Sequence, residues 1–172
     1  MGLHAEARLD RKFVEFARLL NVYLNHSVSP GSTAMPIIRY RQYTDALVSR
    51  TLRLPSGERH EPRGTELATL ADGYTYVSLP EDAALPAEQP EEIADSVEAV
   101  TLSPEQVSAI KAASPHVRLI NARVREKIAS RYSVADELKL LRTAPSAEAE
   151  TYNSWAEECR AWGRERKAAL GL

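Results

Sequence analysis

Near the C-terminus, Tyr152, Trp155, Cys159, Trp162 and Arg166 recur at steps of three and four. That spacing sets them on one stripe of a helix, with both tryptophans of the chain pointing the same way. Two kinds of chemistry use such residues. A cysteine acts as a nucleophile when a base or a cation holds it as thiolate. Cys159 has arginine beside it but no histidine nearby in sequence. Indole, phenol and guanidinium are the groups enriched where one protein grips another. The stripe therefore reads as core packing or as partner surface, and Cys159 as a structural thiol.

The remaining reactive types form no constellation. His4, His26, His60 and His116 lie far apart and lack metal-ligand spacing. "GERHEPRG" at 57–64 sets His60 between Glu58 and Glu61 in a turn-rich loop, where a single imidazole is expected to be exposed. A small enzyme would need distant Glu58, His60 and Cys159 to converge. The seven glycines are not spaced for a phosphate loop. No cofactor, metal or catalytic residue is expected.

Composition narrows the partners. A net charge of −2 over 172 residues argues against a general nucleic-acid or membrane-surface binder, although local patches remain open. One cysteine excludes an internal disulfide framework. No apolar run reaches eighteen residues, so no membrane span is expected. "MGLHAEARLDRKF" is charged from its start, unlike a secretory signal, and Glu6 stands where myristoylation needs Ser or Thr.

The elements that must position these residues divide the chain into four parts. In residues 1–34, Leu9, Phe13, Phe16, Leu20 and Tyr23 follow a heptad, predicting an amphipathic helix over about 4–26 that Pro30 and Gly31 end. Phe13, Phe16, Leu20 and Tyr23 are its partner-facing candidates. Met35 reads equally as a natural domain start or an internal residue. Residues 35–79 turn to β character: "IIRYRQYT" and "LVSRTLRL", the latter with Val48, Leu52 and Leu54 on one face, and a hairpin "TELATL-ADG-YTYVSL" turning at Asp72-Gly73. A sheet of three or four strands is marginal alone, so a helix or partner should cover it. Residues 80–100 hold Pro80, Pro86 and Pro90 with seven acids and no base. They read as a semi-stiff, solvated linker, in preference to an acidic docking motif.

Residues 101–172 are helical, with clear punctuation. Ser103-Pro104 with Gln106, Ser114-Pro115, Ser133 with Asp136, and Ser146 each announce a helix start. Val117, Ile120, Val124 and Ile128 form one apolar stripe, and Val134, Leu138 and Leu141 are expected to be buried in another. The last helix has Glu148 and Glu150 in its first turns and Arg164, Arg166 and Lys167 in its last, both matching the helix dipole. Its stripe should pack on the helix at 115–132 or on the one after Ser133, in a helical hairpin hinged at "TAPS". Gly163 beside Trp162 should admit a close neighbour. The fold class is α+β: an N-terminal amphipathic helix, a small antiparallel β-sheet, a Pro-rich acidic linker and a C-terminal helical hairpin.

This order of parts resembles tail fibre assembly proteins and related small tail-associated proteins of bacteriophages. "YTYVSLPEDAALPAEQP" (74–90) and "DELKLLRTAPSAEAETYNSWAEECRAWGRERKAALGL" (136–172) carry the resemblance, which spans about residues 36–172. Glu148, Trp155 or Trp162, and Arg160 match the family's acidic start, interior tryptophan and basic stretch. The second tryptophan and the terminal "KAALGL" depart from it. The resemblance implies a non-enzymatic protein that binds a tail fibre or receptor-binding protein, as an assembly chaperone or as a retained virion component. It also implies location in the bacterial host cytoplasm during assembly, and in the virion tail where retained. Tyr152, Trp155, Trp162 and Arg166 are then the partner-binding residues of the last helix.

Separately, "RLDRKFVEFARLLNVYLNH" (8–26) is similar to the opening helix of small four-helix-bundle proteins, including accessory proteins of phage diversity-generating retroelements, until "SVSPGS" breaks the pattern. The alternative function is a nucleic-acid-associated accessory protein using that first helix and the basic C-terminal helix. Of the two, nucleic acid is the less expected partner. A homo-oligomer is expected if helix 4–26 self-associates, with a trimer favoured because fibres are trimers. In that case Phe16→Asp lowers the mass measured by light scattering; an unchanged mass means that the helix folds back on its own chain.

Overall fold

The computed structural model describes residues 35–58 and 61–172. The expected helix 4–26, with Phe13, Phe16, Leu20 and Tyr23, lies outside the described residues, as does His60. The described chain divides into two compact units, with the boundary between Ala113 and Ser114.

The first unit is built on a four-stranded sheet. Its strands are β1 (Ile37–Tyr40), β4 (Thr65–Thr69), β5 (Thr75–Ser78) and β6 (Glu98–Val100), in the antiparallel order β4-β5-β1-β6. The β4–β5 hairpin turns where the sequence predicts. Gly73 takes a φ of 78°, which a β-carbon would strain, and its N–H donates to Leu70 O at 3.0 Å. The expected strand from Ile37 stops at Tyr40. A separate small hairpin follows, β2 (Tyr43–Thr44) with β3 (Ser49–Arg50). Past β3 the chain leaves strand geometry, yet Leu52 is still buried and Leu54 packs against the core.

Alternation along the strands separates two sheet faces. On one, Ile38 faces Val77 across β1–β5 and Ala99 across β1–β6. Ile38, Tyr40, Val77 and Leu79 form a cluster there with Leu52, Ile93 and Val97. Tyr76 points to the other face. Its hydroxyl donates to Asp72 Oδ2 at 2.9 Å and accepts from Gln106 Nε2 at 3.3 Å. Gln106 lies on α2 (Pro104–Ala113), which packs against β4 and buries Ile110 completely. The helix begins as predicted: Ser103 N–H donates to Gln106 Oε1 at 2.9 Å, and Gln106 N–H returns to Ser103 Oγ at 3.2 Å.

Two sequence expectations are corrected here. Residues 80–100 are not a solvated linker. They contain the short helix α1 (Glu91–Ala94) and the edge strand β6, and they bury Ala83, Ile93 and Val97 on the sheet. Acids and prolines mask a sparse apolar set at 83, 85, 93 and 97. The compact helical unit also begins at Ser114 rather than at residue 101, because α2 belongs to the sheet unit.

The second unit comprises α3 (Pro115–Ala129), α4 (Val134–Thr143) and α5 (Ala147–Ala168). Each starts at its predicted serine. Ser114 accepts from Val117 N–H, Ser146 accepts from Ala149 N–H, and Ser133 with Asp136 completes a reciprocal capping box. The main partner of α5 is α3, with α4 held more lightly at the side. The C-terminal hairpin expected from sequence is thus part of a three-helix arrangement.

If residues 80–100 form a structural layer, Ile93→Ala lowers the unfolding free energy by about 2–5 kcal/mol, the usual cost of a large-to-small core substitution. Urea denaturation measures it. A loss near zero would restore the solvated-linker reading.

Candidate functional site

The α3–α5 pair is closed by small residues. Along α5 the buried positions are Ala149, Ala156, Cys159 and Gly163, on one seam of the helix. Opposite stand Val117, which is buried, and Ile120, Val124 and Ile128, which are half-buried. A β-carbon on Gly163 would fall 2.7 Å from Val124 Cγ2 and 3.8 Å from Ile120 Cγ2. The close approach expected at Gly163 is therefore present, against a side chain of α3. Cys159 sits in this seam as a buried free thiol.

Because small residues fill the seam, the aromatic groups lie along its rim. Trp155, Trp162 and Tyr152 are each half-buried, and Arg166 is exposed. The sequence stripe is thus real, but neither indole is sealed in the core. Tyr132 meets Tyr152 edge-on, with centroids 5.1 Å apart and planes at 83°. Burial, then the charge of Glu137, raises the Tyr152 hydroxyl above its ordinary pKa.

Cations cover the aromatic faces. Lys127 Nζ lies 5.2 Å and Arg166 Cζ 5.6 Å from the Trp162 ring centroid. Arg131 Cζ lies 5.4 Å from the Trp155 ring and 5.5 Å from that of Tyr132. Such contacts contribute about 0.5–1 kcal/mol each at exposed sites. Among the described residues none of these three cations has a carboxylate within ion-pair distance, whereas Arg160 and Arg164 both pair with Glu157. Trp155 Nε1 is buried with no acceptor among the described residues. The ridge therefore offers three uncommitted cations, an orphan donor and two part-exposed indoles.

Sequence reasoning placed Tyr152, Trp155, Trp162 and Arg166 on this ridge and missed Lys127, Arg131 and Tyr132. A signal existed. Lys127 and Arg131 stand three residues after Val124 and Ile128, so they flank the α3 stripe on one side and lie one turn apart.

The α4 stripe is a correction. Val134, Leu138 and Leu141 were expected to be buried but are 72%, 54% and 72% exposed, and Leu140 is the buried residue of that helix. The helix rolls so that Leu140 and Glu137 turn inward, which leaves the stripe to solvent. An open cleft of about 390 Å³ lies on the other side of α4, between Arg131 and Tyr132, Lys139 and Asp136, and Glu148. Its charges alternate in sign, and the Asp136 carboxylate already accepts from Ser133. Its lining hydroxyl Thr151 donates to Ala147 O at 2.8 Å, and its charges are not matched to one class of ligand. In the first unit the β2–β3 hairpin carries Leu47 at its tip, 94% exposed. Asp45 Oδ1 holds that tip by accepting the Leu47 and Val48 N–H groups, each at 2.8 Å.

Two measurements check this geometry. Iodide should quench the tryptophan fluorescence more than caesium, because cations flank both indoles; Lys127→Ala with Arg131→Ala and Arg166→Ala should remove the difference. Gly163→Ala should destabilise the chain by about 1–3 kcal/mol from overpacking, partly offset by about 1 kcal/mol of helix propensity. Adding Val124→Ala should recover stability in a double-mutant cycle; additive effects would mean that the two positions do not touch.

With this geometry in hand, known proteins add no further constraint: no family model, no curated protein and no solved structure matches the chain.

Proposed function

We propose that this chain is a non-enzymatic protein-binding component of a bacteriophage tail, which holds a tail fibre or receptor-binding protein during assembly or in the finished virion. The phage setting rests on the resemblance in the order of parts. The binding role is supported by one observation above the others: the rim of the α3–α5 pair sets Trp155, Trp162, Tyr132, Arg131 and Arg166 at or near the surface, with neither cation in an ion pair among the described residues. Trp, Tyr and Arg dominate the energetics of protein interfaces because they combine large apolar area with directional donors. A client carboxylate meeting Arg131 or Lys127 would gain a charge-assisted contact.

Co-expression with a trimeric phage tail fibre protein tests the proposal. The fibre should be more soluble and more fully trimeric with this chain than without it. Trp162→Ala combined with Arg131→Ala should weaken capture at least tenfold, as truncating interface anchors does. A fibre equally soluble and trimeric alone would count against a chaperone role, and electron microscopy of purified virions separates a transient helper from a retained part.

A nucleic-acid-associated role is the second reading. Arg118, Arg123, Arg125 and Lys127 on α3, against Glu126 alone, favour it. It requires binding that falls steeply with added salt. A labelled single-stranded oligonucleotide left unshifted at low salt would remove it.

A further inference from the structure

We infer that the aromatic ridge takes an acidic segment of a partner protein, whose Asp or Glu carboxylates seat on the cations lying over Trp155 and Trp162. The inference deepens the binding role proposed above and rests on the ridge being a binding surface; it does not require the partner to be a fibre.

The cations are placed before any partner arrives. Arg131 Cζ lies 5.4 Å from the Trp155 ring centroid, and Lys127 Nζ and Arg166 Cζ lie 5.2 and 5.6 Å from that of Trp162. All three residues are exposed, and none has an ion-pair partner among the described residues. A long basic side chain ordinarily loses rotamer freedom when an anion binds it. Contact with an indole removes part of that freedom in advance. Arg131 and Arg166 also present planar forks of N–H donors, which pair with a carboxylate two bonds at a time.

The setting favours separate carboxylates over a phosphate chain. Binders of single-stranded nucleic acid offer bare aromatic faces on which bases stack. Here cations stand over both indoles. Glu158 and Glu165, both exposed, follow Trp155 and Trp162 by three residues and so lie beside them on α5. They repel a continuous phosphate backbone, whereas carboxylates on individual side chains can be spaced to avoid them. Lys127 and Arg131 are one turn apart on α3 and the two indoles about two turns apart on α5, roughly 6–10 Å. An extended chain covers that distance in two or three residues at about 3.3 Å each. The partner segment therefore carries an acid at every second or third position.

Both tryptophans of the chain lie on the ridge, so their fluorescence reports this site. The full chain is titrated at low salt with a peptide of about four Glu-Ser-Ser repeats, with its Gln-Ser-Ser counterpart, and with an oligothymidine of similar charge. The glutamate peptide should change the emission saturably and the glutamine peptide should not. Lys127→Gln with Arg131→Gln and Arg166→Gln should weaken glutamate-peptide binding at least tenfold. Arg118→Gln with Arg125→Gln, on the other flank of α3, should leave it within twofold, and unfolding midpoints identify any variant that merely misfolds. An equal loss from the Arg118 and Arg125 pair would overturn the inference, because charge would then act without a site. So would oligothymidine binding as tightly through the same three cations, which would favour the nucleic-acid reading. A chain that captures fibre through Trp162 yet ignores the glutamate peptide refutes this inference alone. Saturable glutamate-peptide binding without fibre capture upholds it and removes the fibre as client.

Discussion

The close approach of α3 and α5 at Gly163 governs the second unit. A helix pair separated by larger residues would place its tryptophans in the centre of the contact, where indoles supply most of the buried area. Here the centre is Ala149, Ala156, Cys159 and Gly163, and Val124 fills the space that a side chain at 163 would take. Nothing as large as an indole fits there. Trp155 and Trp162 are displaced to the rim, half in contact with α3 and half in reach of something else. The same displacement brings them under Lys127, Arg131 and Arg166, so one packing constraint accounts for both the exposure and the charge of the ridge.

A comparable economy operates in the first unit. A four-stranded sheet must cover two faces, and among the described residues the first unit has one substantial helix for the task. The second face is closed by a segment with little regular structure, held by Ile93, Val97 and Ala83 and by its own edge strand β6. Polar anchors supplement that modest apolar area. Gln89 Oε1 accepts the Arg53 N–H at 2.9 Å, Arg39 donates to Glu98 at 2.7 Å, and Arg63 donates to both carboxylate oxygens of Asp82 at 2.6 and 2.7 Å. Several acids that look like solvated charge in the sequence are thus attachment points for arginines of the sheet unit. Exposed pairs of this kind contribute little individually, typically about 0–1 kcal/mol, but they fix the path of a segment that has few other instructions.

What could be read from sequence follows from how local each signal is. Helix starts are written in three or four adjacent residues, and Ser103, Ser114, Ser133 and Ser146 all cap as expected. The Asp72-Gly73 turn is equally local. Residues 80–100 misled because composition dominates a short window, while the four apolar positions that matter are irregularly spaced and gain meaning only against a sheet formed elsewhere. The orientation of α4 misled for another reason. Periodicity identifies an apolar stripe but not what it faces, and one buried leucine outside the stripe sets the roll of a short helix. Lys127 and Arg131 were missed because their role depends on α5 lying alongside α3, a pairing that no stretch of α3 alone encodes.

The tip of the β2–β3 hairpin bears on recognition in a different way. Asp45 accepts two backbone N–H groups and is also reached by the Tyr43 hydroxyl at 3.2 Å; these bonds, the backbone ones first, hold its pKa below the ordinary aspartate value and favour the ionised carboxylate. A protruding leucine on an unrestrained loop would have to surrender its freedom whenever it was engaged. Leu47 instead rides on a prong already frozen by a single anion, so that meeting it would cost little ordering entropy.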